Sequence, residues 1–79
     1  MKILNPKYET EKGYTTGAVI EALSRIETGE DIEDLVDDLL YDKRNGFISR
    51  KEVYHFLLLF IRDSAIAFII RKVKEGEKQ

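Results

Sequence analysis

Residues 31–52 read DIEDLVDDLLYDKRNGFISRKE, a run that contains a helix, a turn and the start of a second helix. Its apolar residues recur at helical spacing and form a narrow stripe: Ile32, Leu35, Val36, Leu39 and Leu40. Asn45-Gly46 is a strong turn signal. Ser49 and Glu52 match a capping box, in which the two side chains satisfy backbone donors at a helix start. The run therefore predicts two helices joined by a glycine turn.

Two further boundaries complete the predicted helices. A first helix is expected to begin at Thr15 or Thr16, either of which can cap it, and to end at Gly29. The helix that follows Ser49 is expected to continue to about Val73 as one long element.

Residues 1–13 contain no regular pattern and are interpreted as an irregular N-terminal arm, followed by a single helical domain over residues 14–79. The sequence shows no convincing strand pair. The predicted fold class is therefore all-α, a small three-helix domain with two short amphipathic helices and one long C-terminal helix.

Part of the turn resembles a calcium-binding EF-hand loop. Such a loop has oxygen ligands at positions 1, 3 and 5, glycine at 6, an apolar residue at 8 and glutamate at 12. With Gly46 at position 6, Ile48 and Glu52 take positions 8 and 12, so NGFISRKEVYHFL resembles the second half of an EF-hand. Tyr41 and Lys43 then occupy positions 1 and 3 and supply no carboxylate. A connector without a metal is expected, and a degenerate EF-hand-like helix-loop-helix module is an alternative.

Composition limits the classes of function. The chain has 79 residues, 13 basic and 15 acidic residues, a formal charge of −2 and no cysteine. This length predicts one small domain, and the lack of cysteine excludes disulfides, thiolate metal sites and thiol nucleophiles. The negative charge argues against a surface that binds nucleic acid throughout. No cofactor is predicted.

Two segments bear on targeting and on membrane insertion. MKILNPKYET has no long apolar run and no small-residue cleavage site, so we do not expect a signal peptide. Residues 53–70 are strongly apolar but have Arg62 and Asp63 near their centre, and each such charge costs about 2.5–3.5 kcal/mol in a membrane-spanning helix. We therefore expect no membrane partner and a cytoplasmic location.

The second predicted helix carries an acidic face. No basic residue lies between Arg25 and Lys43, whereas eight acidic residues do. Like charges four residues apart destabilise a helix by about 0.2–0.5 kcal/mol per pair. We interpret this face as a binding surface for a basic partner, with the alternative that it is only solvated or is partly neutralised by Arg71, Lys72 and Lys74. The candidate partner-binding residues are Glu30, Asp31, Glu33, Asp34, Asp37 and Asp38.

No catalytic site is predicted. His55 is the only histidine, and without a cysteine or second histidine it cannot form a zinc site, so a surface position is expected. The four basic residues of residues 43–51 suggest an alternative, a DNA-associated regulator that contacts phosphate through this loop: Lys43, Arg44, Arg50 and Lys51. The acidic helix would repel phosphate, so nucleic acid is not the favoured partner.

Residues 65–70 are apolar on every side of a helix and should be buried on every side. A second copy of the chain is the simplest cover, which predicts a homodimer. The candidate interface residues are Ile66, Phe68, Ile69 and Ile70. The alternative is that the N-terminal arm covers this region through Ile3, Leu4 and Tyr8.

The function favoured by the sequence is that of a small acidic, non-enzymatic module that binds another protein and regulates or inhibits it. Small acidic regulators, including viral ones, have this composition, which is an analogy of composition alone.

Overall fold

A computed structural model describes residues 3–61 and 64–76 of the chain. Four α-helices lie within these residues: α1 (Thr16–Ser24), α2 (Gly29–Tyr41), α3 (Arg50–Leu58) and α4 (Ala65–Gly76). A hairpin of β1 (Glu9–Thr10) and β2 (Gly13–Tyr14) precedes them. The predicted helical class is confirmed, whereas the predicted count of three helices and the predicted lack of strands are wrong.

Helix α2 packs against both α3 and α4. Its predicted stripe is confirmed, because Ile32, Leu35, Val36 and Leu39 are buried and Leu40 is partly buried. The helix begins with a capping box, in which Thr28 Oγ1 accepts from the Asp31 amide and Asp31 accepts from the Thr28 amide.

The sequence predicted that Gly29 ends α1, but Gly29 is the first residue of α2. A β-carbon at Gly29 would lie 3.3 Å from Val73 Cγ2. The glycine therefore allows α4 to approach α2 closely. Helix α1 ends earlier, at Ser24, and its predicted cap is confirmed because Thr15 Oγ1 accepts from the Ala18 amide at 3.2 Å.

The predicted long C-terminal helix is interrupted. The amides of Leu59 and Phe60 bond to carbonyls three residues back, which tightens the last turn of α3. Ser64 then accepts a hydrogen bond on its Oγ from the Ala67 amide at 3.1 Å, as a helix cap does. The break allows α4 to fold back against α2 and α3, which buries Ala67 and Ile70 within the same chain. Arg62 and Asp63 lie outside the described residues.

The N-terminal arm is more ordered than predicted. Ile3 and Leu4 are buried in the core, and a 3-10 turn at Pro6–Tyr8 leads into the hairpin. Thr10 stabilises the hairpin turn, because its hydroxyl donates to the Gly13 carbonyl at 2.8 Å. Strands of two residues carry no alternating pattern, which is why the sequence did not reveal them.

Two side chains show how α1 and α3 are oriented. Tyr54 in α3 is fully buried, whereas Ile20 in α1 is 52% exposed. Among the helices of the described ranges, none has both the length and the apolar character needed to cross a membrane.

Candidate functional site

The turn after α2 fastens the N-terminal hairpin to the helices. The Arg44 guanidinium donates to the Asp42 carboxylate at 2.5 Å, to Glu9 Oε2 at 2.6 Å and to the Thr10 carbonyl at 3.1 Å. The hydrogen bonds that Arg44 donates to Asp42 and, less strongly, to Glu9 raise the pKa of its guanidinium above its usual value. Arg44 is thus engaged within the chain itself.

Asn45 makes the second attachment between this turn and the hairpin. Its Oδ1 accepts from the Tyr14 amide at 2.9 Å, and its Nδ2 donates to the Leu39 carbonyl at 3.2 Å. The following residue, Gly46, has φ +83°, which confirms the glycine turn expected from Asn45-Gly46.

In this EF-hand-like turn, the side chains that carry oxygen atoms are engaged by contacts within the chain. Asp42 accepts from Arg44, Asn45 accepts from Tyr14, and the Glu52 carboxylate accepts from the Ile48 amide at 3.3 Å. In residues 3–61 and 64–76, no group of three or more histidine, cysteine or acidic side chains has an arrangement that could hold a metal. The turn keeps a helix-loop-helix shape and uses its oxygens to hold its own backbone.

The predicted partner-binding residues all lie on α2, but they are not equivalent. Asp31 caps the helix, and Asp37 accepts a hydrogen bond from the Arg50 guanidinium. Asp38 is half-buried and is engaged within the chain. Within the described residues, the side chains of the remaining three form no hydrogen bond or ion pair: Glu30, Glu33 and Asp34. Glu30 and Glu33 are also exposed, so they are the members best placed to meet a partner.

A shallow, open groove lies at the C-terminal end of this acidic face. It is lined by Leu40 and Tyr41, with Asp37 and Lys43 at its polar side. Tyr41 is 89% exposed, the largest exposed fraction among the large apolar side chains in the described parts. The groove was not predicted from the sequence, although an aromatic residue at the end of an amphipathic helix could have suggested it.

The predicted dimer residues on α4 divide between inside and outside. Ile70 is fully buried, and Ile66 and Ile69 pack against the core. Phe68 points away from them and is 60% exposed, with Lys72 Nζ 5.4 Å from its ring centroid. The chain itself therefore covers Ile70, and Phe68 is the most exposed of the four.

The basic residues of the loop are also unequal. Arg44 is held by Asp42 and Glu9, and Arg50 donates to Asp37 and to the Tyr54 hydroxyl. Lys43 and Lys51 are exposed.

His55 is exposed, as predicted, and its Nε2 lies 3.2 Å from Lys74 Nζ.

An apolar groove that was not predicted from the sequence lies between α1 and the start of α4, where the exposed Ile20 meets Phe60 and Ile66. Its residues are distant in sequence, so no local pattern brings them together.

Comparisons with protein-family models, with curated proteins and with solved structures find no match to this chain.

Proposed function

We propose that this chain is a small, non-enzymatic module that binds another protein through the outward face of α2. The observation that carries the proposal is the position of the exposed Tyr41 and its groove at the end of a helix face that bears only acidic charges. Tyrosine is enriched in protein interfaces because its rigid ring supplies contact area at small entropic cost. The surface suits a basic segment that carries an apolar side chain.

The burial of α2 supports this orientation. Four side chains of the apolar stripe are buried, which fixes the opposite face toward solvent and keeps Glu30 and Glu33 on it. Because the backbone of α2 is fixed, its acidic groups lose little conformational entropy when a partner binds. Opposite charge on the partner accelerates association. A regulatory or inhibitory role follows if the bound segment is one that the partner needs for its own activity.

The test uses two variants with the same change in charge. Glu30→Lys with Glu33→Lys alters the acidic face, whereas Glu11→Lys with Glu27→Lys alters exposed residues on neither α2 nor α4. Each immobilised protein is incubated with an extract of the cells that produce it. We expect a protein retained by the wild type and by the control pair to be absent from the first pair. Equal retention by all three proteins contradicts the proposal.

Tyr41→Ser provides a second test of the same surface that leaves charge unchanged. Because Tyr41 is 89% exposed, its replacement should leave the free energy of unfolding within about 0.5 kcal/mol of wild type. Partner retention should fall, since the apolar part of the contact is lost.

DNA association through residues 43–51 is the less favoured candidate. The internal pairing of Arg44 and Arg50 leaves Lys43 and Lys51 to meet phosphate. Two contacts give a shallow salt dependence, with a slope of about −2 in a plot of log affinity against log salt. A steeper slope with random-sequence DNA would favour this candidate over the acidic face.

A further inference from the structure

The outward face of α4 has a chemistry opposite to that of α2. Phe68, at the centre of this face, is 60% exposed. Arg71 and Lys72 are exposed one helical turn further along. The Lys72 ammonium lies 5.4 Å from the Phe68 ring centroid, so the aromatic side chain and the cation form one surface. Because Ala67 and Ile70 hold the other side of α4 in the core, this face is fixed in orientation.

The groove at the end of α2 has the complementary form. Leu40 and Tyr41 offer apolar contact, and Asp37 lies one turn back along the helix. Helix α2 carries six acidic residues and no basic one, whereas α4 carries three basic residues and one acidic one. The two faces therefore match in charge. On α4 the cations lie about one turn from Phe68, whereas on α2 the exposed Glu33 and Glu30 lie about 12 and about 16 Å along the helix from Tyr41.

We propose that the occupant of the α2 groove is Phe68 of a second copy of this chain, with Arg71 and Lys72 of that copy against the acidic face of α2. This inference rests on the proposed function, because it names a partner for the same surface. In a two-fold dimer each copy supplies both faces, so the contact is made twice. The interface differs from a dimer built on Ile69 and Ile70, since those side chains are used within the chain.

The proposed contact predicts a distinctive response to salt. Exposed ion pairs weaken as the screening length shortens, from about 10 Å at 0.1 M to about 3 Å at 1 M salt. Self-association should therefore fall as salt rises. A dimer held by apolar contact alone would persist or strengthen under the same change.

The experiment is a charge exchange between two variants, followed by sedimentation equilibrium at about 10–200 µM, the range of weak interfaces. The acidic-face variant is Glu30→Lys with Glu33→Lys, and the basic-face variant is Arg71→Glu with Lys72→Glu. All four side chains are exposed, so both variants should fold, which far-ultraviolet circular dichroism checks. We expect the wild type to form dimers, each variant alone to be monomeric, and an equimolar mixture of the two to form dimers again.

The control separates this contact from simple attraction between oppositely charged proteins. The pair Glu11→Lys with Glu27→Lys has the same net charge as the acidic-face variant. That pair keeps both faces, so on its own it should form dimers as the wild type does. When it is mixed with a labelled basic-face variant, the labelled variant should stay monomeric. A monomeric wild type, dimers in the acidic-face or basic-face variant alone, no recovery in their mixture, or equal recruitment of the labelled variant by the control would each overturn the inference.

Phe68→Ala tests the apolar half of the contact at unchanged charge. It should weaken self-association at least about tenfold, which corresponds to about 1.4 kcal/mol. An unchanged association constant also overturns the inference.

The inference and the proposed function can fail separately. If the acidic-face variant loses a captured protein while the wild type remains monomeric, the inference is wrong and the proposed function stands. If the charge exchange restores dimers while capture does not depend on Glu30 and Glu33, the reverse holds.

Discussion

Asn45 Oδ1 accepts a hydrogen bond from the backbone amide of Tyr14 at 2.9 Å, across 31 positions of sequence. The same side chain donates to the Leu39 carbonyl at the end of α2. The side-chain amide of Asn45 therefore joins the hairpin to α2 and satisfies one backbone donor and one backbone acceptor. A β-carbon at Gly13 would lie 2.1 Å from this oxygen, and Gly13 has φ +99°, so this position favours glycine for two reasons.

We predict that Asn45→Ala lowers the free energy of unfolding by about 1–3 kcal/mol, because it leaves two backbone groups without their partner. Gly13→Ala should also destabilise, through its positive φ and the contact with Asn45. Since Asn45→Ala removes that contact, the double variant should lose less than the sum of the two. Urea denaturation of the four proteins measures the difference.

Asn5→Ala is the matched control for the Asn45 substitution. Asn5 caps a 3-10 turn by accepting from the Lys7 amide at 3.0 Å, an exposed and local contact. Its loss should cost under about 1 kcal/mol. Strict additivity of Gly13→Ala and Asn45→Ala would show that the two positions are not in contact in solution.

Calcium at millimolar concentration should leave the melting temperature unchanged. An ion that binds only the folded chain must stabilise it, but here Asp42 already accepts from Arg44 and Glu52 already accepts from the Ile48 amide. Glu52→Gln keeps an acceptor and should have little effect, whereas Glu52→Ala should destabilise. A rise of several degrees with calcium that Glu52→Gln abolishes would instead support an EF-hand-like site.

The stability of the chain should depend on the ionisation of Tyr8 at alkaline pH. A hydrogen bond to the Glu21 carboxylate, together with its negative charge, raises the pKa of the Tyr8 phenol in the folded state above 10.0. The stabilisation is therefore complete below the unfolded pKa of about 10 and is lost as pH rises through the higher folded pKa. The difference in unfolding free energy between wild type and Tyr8→Phe should be constant below about pH 9 and shrink above it. A difference that stays constant to pH 11 would contradict the Tyr8–Glu21 contact.

Two positions on α4 should respond in opposite ways to the same substitution. Ile70 is fully buried, so Ile70→Asp places a charge in the core and should unfold the chain or cost more than about 4 kcal/mol. Phe68 is 60% exposed, so Phe68→Asp should alter the unfolding free energy by less than about 0.5 kcal/mol. Thermal melts of dilute protein measure both. Similar destabilisation by the two substitutions would contradict the orientation of α4.

Local sequence patterns predicted the parts of the fold that local chemistry determines. The stripe of α2 and the caps at Thr15 and Ser49 follow from spacing and from side-chain oxygens near helix starts, and the structure confirms them. The hairpin was not predictable in this way, because Asn45 and Arg44 hold it from more than 30 positions away.

The candidate site was predictable to a similar extent. The six acidic residues of α2 are evident in the sequence, but their separate roles are not. Asp37 meets Arg50 only after the chain has turned back from α2 into α3, so the pairing is a tertiary one. The exposed Tyr41 and its groove likewise require the positions of neighbouring elements.

Ser64→Ala distinguishes the interrupted helix from the continuous one that the sequence predicted. In the structure, Ser64 Oγ caps α4 by accepting from the Ala67 amide, so its removal should cost about 0.5–2 kcal/mol. In a continuous helix Ser64 would be an interior residue, and alanine, the better helix former, would stabilise by up to about 0.5 kcal/mol. The two arrangements therefore predict opposite signs for the change in the free energy of unfolding.

Ser24→Ala is the control, because Ser24 is an exposed helical residue that caps no helix start. This substitution should be neutral or slightly stabilising in both arrangements. Chemical denaturation gives the sign directly, and stabilisation by Ser64→Ala equal to that by Ser24→Ala would show that α3 and α4 form one helix in solution.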